Sequence, residues 1–277
     1  MKTVAMKSAR RSTWVFVLYA AVVVVVFVAR EIAPSSCVFT ELLSPPRFAV
    51  FTSIAKLAPQ AAGAVFAARC ARRYGEGNAA RRGWFLLSAW LAGWFAGQVV
   101  LVTYDRVLGV PAPVPSVGDV FFTLGCVLLI VALFTFVNAY RKSGFAAGDP
   151  RQDVLIGVVA TCLLGVVGYT VLVPVAMTPA PLAERLVNVG YPVIDLLTLI
   201  PAAILLRITL GFRGGQVWRV WAAILAGIVL TASADIVFSD VSPAHVAAVG
   251  WIVDLFGALA YACCAYGTWL QFELVAE

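Results

Sequence analysis

Eight apolar runs constrain this chain more than any other feature. They lie at about 14–29, 48–69, 84–103, 118–140, 154–176, 188–210, 218–239 and 248–270, separated by polar or Pro/Gly-rich stretches such as 72–83, 110–117, 141–153 and 211–216. At 1.5 Å per residue, a helical run of about 20 residues crosses about 30 Å of hydrocarbon. Lipid offers no partner for a backbone N–H or C=O, so runs of this length fold as helices. The expectation is an all-α integral membrane protein with eight transmembrane helices. They pair as four out-and-back hairpins, 14–71, 84–140, 154–210 and 218–271. Residues 1–13 form a basic cytoplasmic N-terminus, 14–271 the transmembrane domain and 272–277 a short cytoplasmic tail.

Charge sets the expected topology. Charged residues make up only 12% of the 277 and hydrophobic ones 62%, with a mean hydropathy of +0.95, against about a quarter charged in soluble proteins. The formal charge of +6 is therefore read by location, which points to a lipid bilayer and not to nucleic acid as the partner. With the N-terminus inside, fifteen of the 20 Lys and Arg fall in cytoplasmic segments. Arg30, Arg47, Arg106 and Arg185 fall outside, and Lys56 lies within the second run. Both termini are then cytoplasmic. The basic head and apolar run at 14–29 imitate a signal peptide, but Arg30 and Glu31 follow with no small-x-small cleavage site, so a retained first helix is expected.

Few chemistries survive the residue inventory. The six cysteines (37, 70, 126, 162, 263 and 264) form no Cys-x-x-Cys pair, and His245 is the sole histidine. Zinc, bis-histidine haem and histidine-rich di-iron centres do not fit that count. Only Cys37 falls in an exoplasmic loop, so no disulfide framework is expected, and His245 is expected in an exposed outer loop. No phosphate loop, His-Glu-x-x-His or Gly-x-Ser-x-Gly motif is present. No cofactor, metal site or catalytic residue is assigned.

The carboxylates carry the functional signal, because an acid in hydrocarbon needs a partner, water or a proton. Asp119, Asp195 and Asp254 recur in the fourth, sixth and eighth runs, each after a Val-Gly pair, and Asp235 lies near the end of the seventh. The topology puts all four toward the exoplasmic side. Parallel repeats of this kind tend to place a site where the units meet. Asp119, second in its run, suits a helix N-cap. Asp195 and Asp254 sit about seven residues into their runs, too deep for capping. Lys56 forms an i, i+4, i+8 polar stripe with Thr52 and Gln60, expected to face the bundle and to pair with an aspartate. Tyr191 and Trp251 each precede an aspartate by about one turn and are placed to bond it or wall a pocket. Gly93-x-x-x-Gly97 is expected to serve packing inside the bundle.

These segments also resemble a known family. Tyr104-Asp-Arg-Val-Leu-Gly-Val-Pro-Ala-Pro-Val-Pro-Ser-Val-Gly-Asp119-Val-Phe-Phe resembles the third-to-fourth helix connection of a bacterial eight-helix membrane input region. That region stands ahead of diguanylate cyclase, cyclic-di-GMP phosphodiesterase and histidine kinase domains. Tyr191-Pro-Val-Ile-Asp195 is similar to its sixth helix, and Asp235 with Phe238, and Asp254, to its remaining acidic positions. The resemblance implies a sensory or regulatory module in the bacterial inner membrane, with no particular ligand. Two departures stand out. Helix four continues Thr-Leu-Gly-Cys126 where the family more often has an aromatic, and only Gln-Phe-Glu-Leu-Val-Ala-Glu follows Leu270, too short for an output enzyme. The function expected is binding of a small ligand, lipid or ion in an exoplasm-facing acidic and aromatic cavity, with signalling through a separate cytoplasmic or membrane protein. A small-solute or proton-coupled transporter, and a membrane scaffold, are the alternatives. Oligomeric state is left open.

Overall fold

A computed structural model describes residues 2–33, 36, 38–144, 150–177, 179, 181–238 and 243–276. The described chain is helical and contains no strand. Its α-helices are α1 (Lys2–Ile32), α2 (Pro45–Ala71), α3 (Ala79–Thr103), α4 (Val117–Lys142), α5 (Pro150–Val167), α6 (Val173–Met177), α7 (Leu182–Leu210), α8 (Gln216–Phe238) and α9 (Pro243–Ala276). Among the described residues, seven helical stretches are long and apolar enough to cross a membrane: 11–32, 45–71, 79–108, 117–142, 182–210, 216–238 and 249–276. This is a multi-pass architecture, and its apolar surface is compatible with a bilayer.

The stretch missing from that set is the run expected at 154–176. It is helical but interrupted, as α5, a π-turn at Gly168–Leu172, and the short α6. Pro174 stands just past that turn, and its ring clashes with the carbonyl four residues back in a regular helix. A widened turn there relieves the clash.

Six helices form a closed ring in which neighbours pack in the order α2, α3, α4, α7, α8, α9 and back to α2. The two outer helices lie against it, α1 on α9 and α5 on α7. The first hairpin therefore opens up: α1 docks chiefly on the last helix. Phe16 stacks on Tyr266 with ring centroids 4.5 Å apart, and Arg219 donates to Thr13 Oγ1 (2.6 Å) and Tyr266 Oη (2.9 Å). Small residues bring the adjacent helices of the ring close together, as expected inside lipid. A Cβ on Gly227 would lie 2.7 Å from the Ala260 carbonyl, and one on Gly267 would lie 2.8 Å from the Val220 carbonyl, so α8 and α9 touch backbone to side.

The ring has two unlike ends. One carries the 72–78 connection and most of the arginines, and is called the basic end here. There Trp84, Phe136 and Trp221 meet at 4.7 to 5.8 Å between centroids, over buried Leu87, Leu133, Leu205 and Ile224. Their polar tips are satisfied: Trp221 Nε1 donates to Tyr140 Oη (2.8 Å) and Gln271 Nε2 to Tyr74 Oη (2.9 Å).

Helix limits also correct the reading of depth. α7 begins at Leu182, taking in Glu184, Arg185 and Asn188, polar residues that hydropathy left outside the run. Asp195 is therefore about 20 Å along its helix, and Asp254 about 16 Å along α9. Asp195 thus lies near the middle of α7 and not in its outer third as expected, whereas Asp254 stays within the first third of α9. α9 extends at both ends, through residues expected as an outer loop and as the tail, so His245 sits in its first turn. The His245 side chain, Cys37 and Asp240 lie outside the described residues.

Candidate functional site

At the end opposite the basic one, the ring opens into a cavity of about 430 Å³. The 110–116 connection crosses its mouth, and all six ring helices contribute to its wall, including Lys56, Trp94, Asp119, Tyr191, Asp235 and Asp254.

Each acidic group is held differently. Asp119 is the third residue of α4, and its carboxylate caps that helix. Oδ2 accepts from the Ser116 backbone N–H and from Ser116 Oγ (2.9 Å), while Ser116 Oγ accepts from the Gly118 N–H (3.1 Å). This reciprocal arrangement satisfies donors that a helix start leaves orphaned, and negative charge there suits the dipole. The other oxygen reaches across the ring: Tyr191 Oη on α7 donates to Asp119 Oδ1 at 2.7 Å. Tyr191 thus bonds an aspartate on another helix, not Asp195 one turn along its own.

Asp254 on α9 is paired with Lys56 on α2, Nζ to Oδ1 at 2.7 Å. Lys56 is 18% exposed and Asp254 41%, so the pair sits at the wall of the cavity and not in sealed core. Thr52 and Gln60 lie on the same buried stripe of α2, as the i, i+4 spacing predicts. Gln60 is fully buried, and neither end of its amide has a hydrogen-bond partner.

Asp195 and Asp235 form the third group. Their carboxyl groups, on the adjacent helices α7 and α8, are close neighbours. Asp235 lines the cavity, whereas Asp195 stands behind it, 7% exposed, with Oδ2 unpartnered. Cys126, Tyr261 and Trp94 surround this pair. Pro192, also on the wall, has no N–H to close the helical bond to the Asn188 carbonyl, leaving an acceptor on the α7 side.

Four rings complete the wall. Tyr191, Phe122, Trp94 and Tyr261 follow one another edge to face, with centroids 6.4, 5.5 and 5.9 Å apart and interplanar angles of 81°, 79° and 74°. Glycines seat two of them. A Cβ on Gly97 would come within 2.8 Å of the Phe122 ring, and one on Gly125 within 2.4 Å of Trp94. The second glycine of the Gly93-x-x-x-Gly97 pair therefore sets ring position as well as helix spacing. Trp94 is fixed further by Nε1 donating to the Phe122 carbonyl at 3.2 Å.

Of the seven residues singled out from sequence, Lys56, Asp119, Tyr191, Asp235 and Asp254 share this wall, and Asp195 backs it. Trp251 is elsewhere, packed beside the cluster of Val23, Phe27, Ala55, Leu255 and Ala258 that joins α1, α2 and α9. It stands about 60° round α9 from Asp254, and that offset turns it toward α1 instead of the cavity. Sequence reasoning did not single out Phe122, Tyr261 or Gly125. Gln60 was expected on the Lys56 stripe; the ring and glycine partnerships need the α3–α4 register. Comparison of the chain with protein-family models, curated proteins and solved structures found no match.

Proposed function

We propose that this chain is a sensory or regulatory module of the bacterial inner membrane that binds a small ligand in the acidic, aromatic cavity. In this reading the protein spans the membrane eight times with both termini inside, the cavity faces the exoplasm and the basic end faces the cytoplasm. One observation carries the proposal: the same six helices enclose a cavity with acidic and aromatic walls at one end and a ring-packed plug at the other. A ligand entering the cavity meets residues from all six helices, so its binding free energy acts on their relative positions. The plug gives it no path onward, which favours sensing over transport. Polar groups inside a membrane bundle mark function by default, and the segment resemblance described above points the same way. Signal would leave through the arginine-rich connections of the basic end to a partner protein.

The test is thermal unfolding of the purified protein against a panel of small amines, cations, anions and lipids. Stabilising shifts lost in Asp195→Asn and Asp254→Asn are the expected result. Shifts that survive both substitutions would place the binding site elsewhere.

A further inference from the structure

We propose, resting on the cavity reading above, that the ligand is an alkylated ammonium cation, held by the four-ring wall with Asp235 as its counter-charge. Charge accounting comes first. Asp254 is neutralised by Lys56 at 2.7 Å. Asp119 is satisfied by Ser116, by Tyr191 Oη and by the start of α4. Asp235 is different: its neighbour is another acid, Asp195, which is 7% exposed and keeps Oδ2 without a hydrogen-bond partner. Lys56, already engaged, is the one basic residue among the described cavity-lining residues. Asp235 therefore lines the cavity with no basic side chain of the protein paired to it among the described residues, and a cationic ligand supplies that partner.

The wall then selects among cations. A divalent metal ion takes six or more oxygen ligands, and no group of three or more His, Cys, Asp or Glu among the described residues could hold one. A primary ammonium or a guanidinium brings three to five N–H donors that each need an acceptor once desolvated. The faces of the four rings supply no such acceptor; the lining acceptors, Gln98 and Asn188 among them, belong to other residues of the wall. A quaternary or tertiary ammonium donates one bond or none. It is held by aromatic rings and a counter-charge, the arrangement of known aromatic cages for such ligands. Tyr191, Phe122, Trp94 and Tyr261 stand at near right angles in sequence, as adjoining walls of a box do. The volume of about 430 Å³ accommodates the head with a short substituent. The same head occurs in free solutes and in choline phospholipids.

The experiment uses the full chain in phosphatidylglycerol nanodiscs, titrated with choline and with its neutral carbon isostere, dimethylbutanol. Thermal unfolding and tryptophan fluorescence are the readouts. Choline is expected to bind about tenfold or more tightly than the isostere. Phe122→Leu and Asp235→Asn are each expected to weaken choline about tenfold, while Phe134→Leu, on the exposed face of α4, leaves it unchanged. A second arm dopes the nanodiscs with phosphatidylcholine. Competition with choline identifies the lipid head as the source of the cation; unchanged choline affinity identifies a free solute. Equal binding of choline and the isostere overturns the proposal, as does choline binding that is indifferent to both substitutions, or no choline binding at all. If choline fails while another compound gives a shift lost in Asp195→Asn, the cavity reading stands and the ammonium class falls. If no compound gives such a shift, both fall.

Discussion

At the basic end, Trp84, Phe136 and Trp221 fill the axis of the ring, and the polar tips of Trp221 and Gln271 find partners. At the other end the same helices surround a cavity backed by Asp195, whose Oδ2 is buried without a partner; Gln60 and Trp90, midway along α2 and α3, and Gln216 at the basic end also hold unpartnered polar atoms. A buried polar group without a partner costs about 1–3 kcal/mol, and Asp195 bears that cost beside the cavity. The contrast separates the two ends: the ring-packed plug holds the helices, while the cavity end, on the proposed function, gives up stability that a ligand would restore.

That division is breakable by substitution. The largest effect belongs to the plug. Trp221→Ala removes a fully buried ring in contact with Trp84, Phe136 and Tyr140, and is expected to cost about 3–5 kcal/mol. Unfolding of the detergent-purified variant at a much lower temperature checks this. Cavity ligands should still bind the surviving folded fraction. Tyr191→Phe comes next. It deletes a hydrogen bond to the Asp119 carboxylate, a class worth about 1.5–3 kcal/mol, and should move both stability and ligand affinity.

Gly125→Ala sharpens the comparison, because it acts on a ring without touching a polar group. The new methyl collides with Trp94 at 2.4 Å, an overpacking of about 1–3 kcal/mol. Its signature is a changed Trp94 fluorescence environment together with weakened ligand binding; a variant with wild-type emission and affinity would contradict the seating described for Trp94. The smallest effect is expected from Lys56→Met. Asp254 is partly exposed and can be rehydrated, so the loss is held to about 1 kcal/mol or less. A double-mutant cycle with Asp254→Asn should return a coupling of that size.

How much of this was legible beforehand differs by residue. The helical membrane class followed from run length and hydropathy, and a capping role for Asp119 from its place at the start of its run, although the N-cap itself is Ser116 and Asp119 answers it from three residues on. The partnership of Lys56 with an aspartate followed from the cost of a lone charge in lipid. Depth was misjudged for Asp195, because hydropathy marks where a helix becomes apolar and not where it begins: α7 carries Glu184, Arg185 and Asn188 in its opening turns. Trp251 was misplaced because α1 packs on α9 and α2 together, a long-range choice that no local pattern records. The ring wall stayed hidden for a similar reason, since Phe122 and Trp94 are unremarkable aromatics until Gly97 and Gly125 are seen opposite them.

The central claim is that the cavity takes up ligand from one side of the membrane only, with the plug closing the other. Single cysteines placed by Gln98→Cys on the cavity wall and by Leu205→Cys in the plug test it directly, each compared with unsubstituted protein. Cells are treated with a charged, membrane-impermeant maleimide from outside, and inverted vesicles are treated from the cytoplasmic side. The account predicts labelling at position 98 from outside alone, and none at position 205 from either face. Labelling at 98 from the cytoplasmic side, or comparable labelling at both positions, would contradict it.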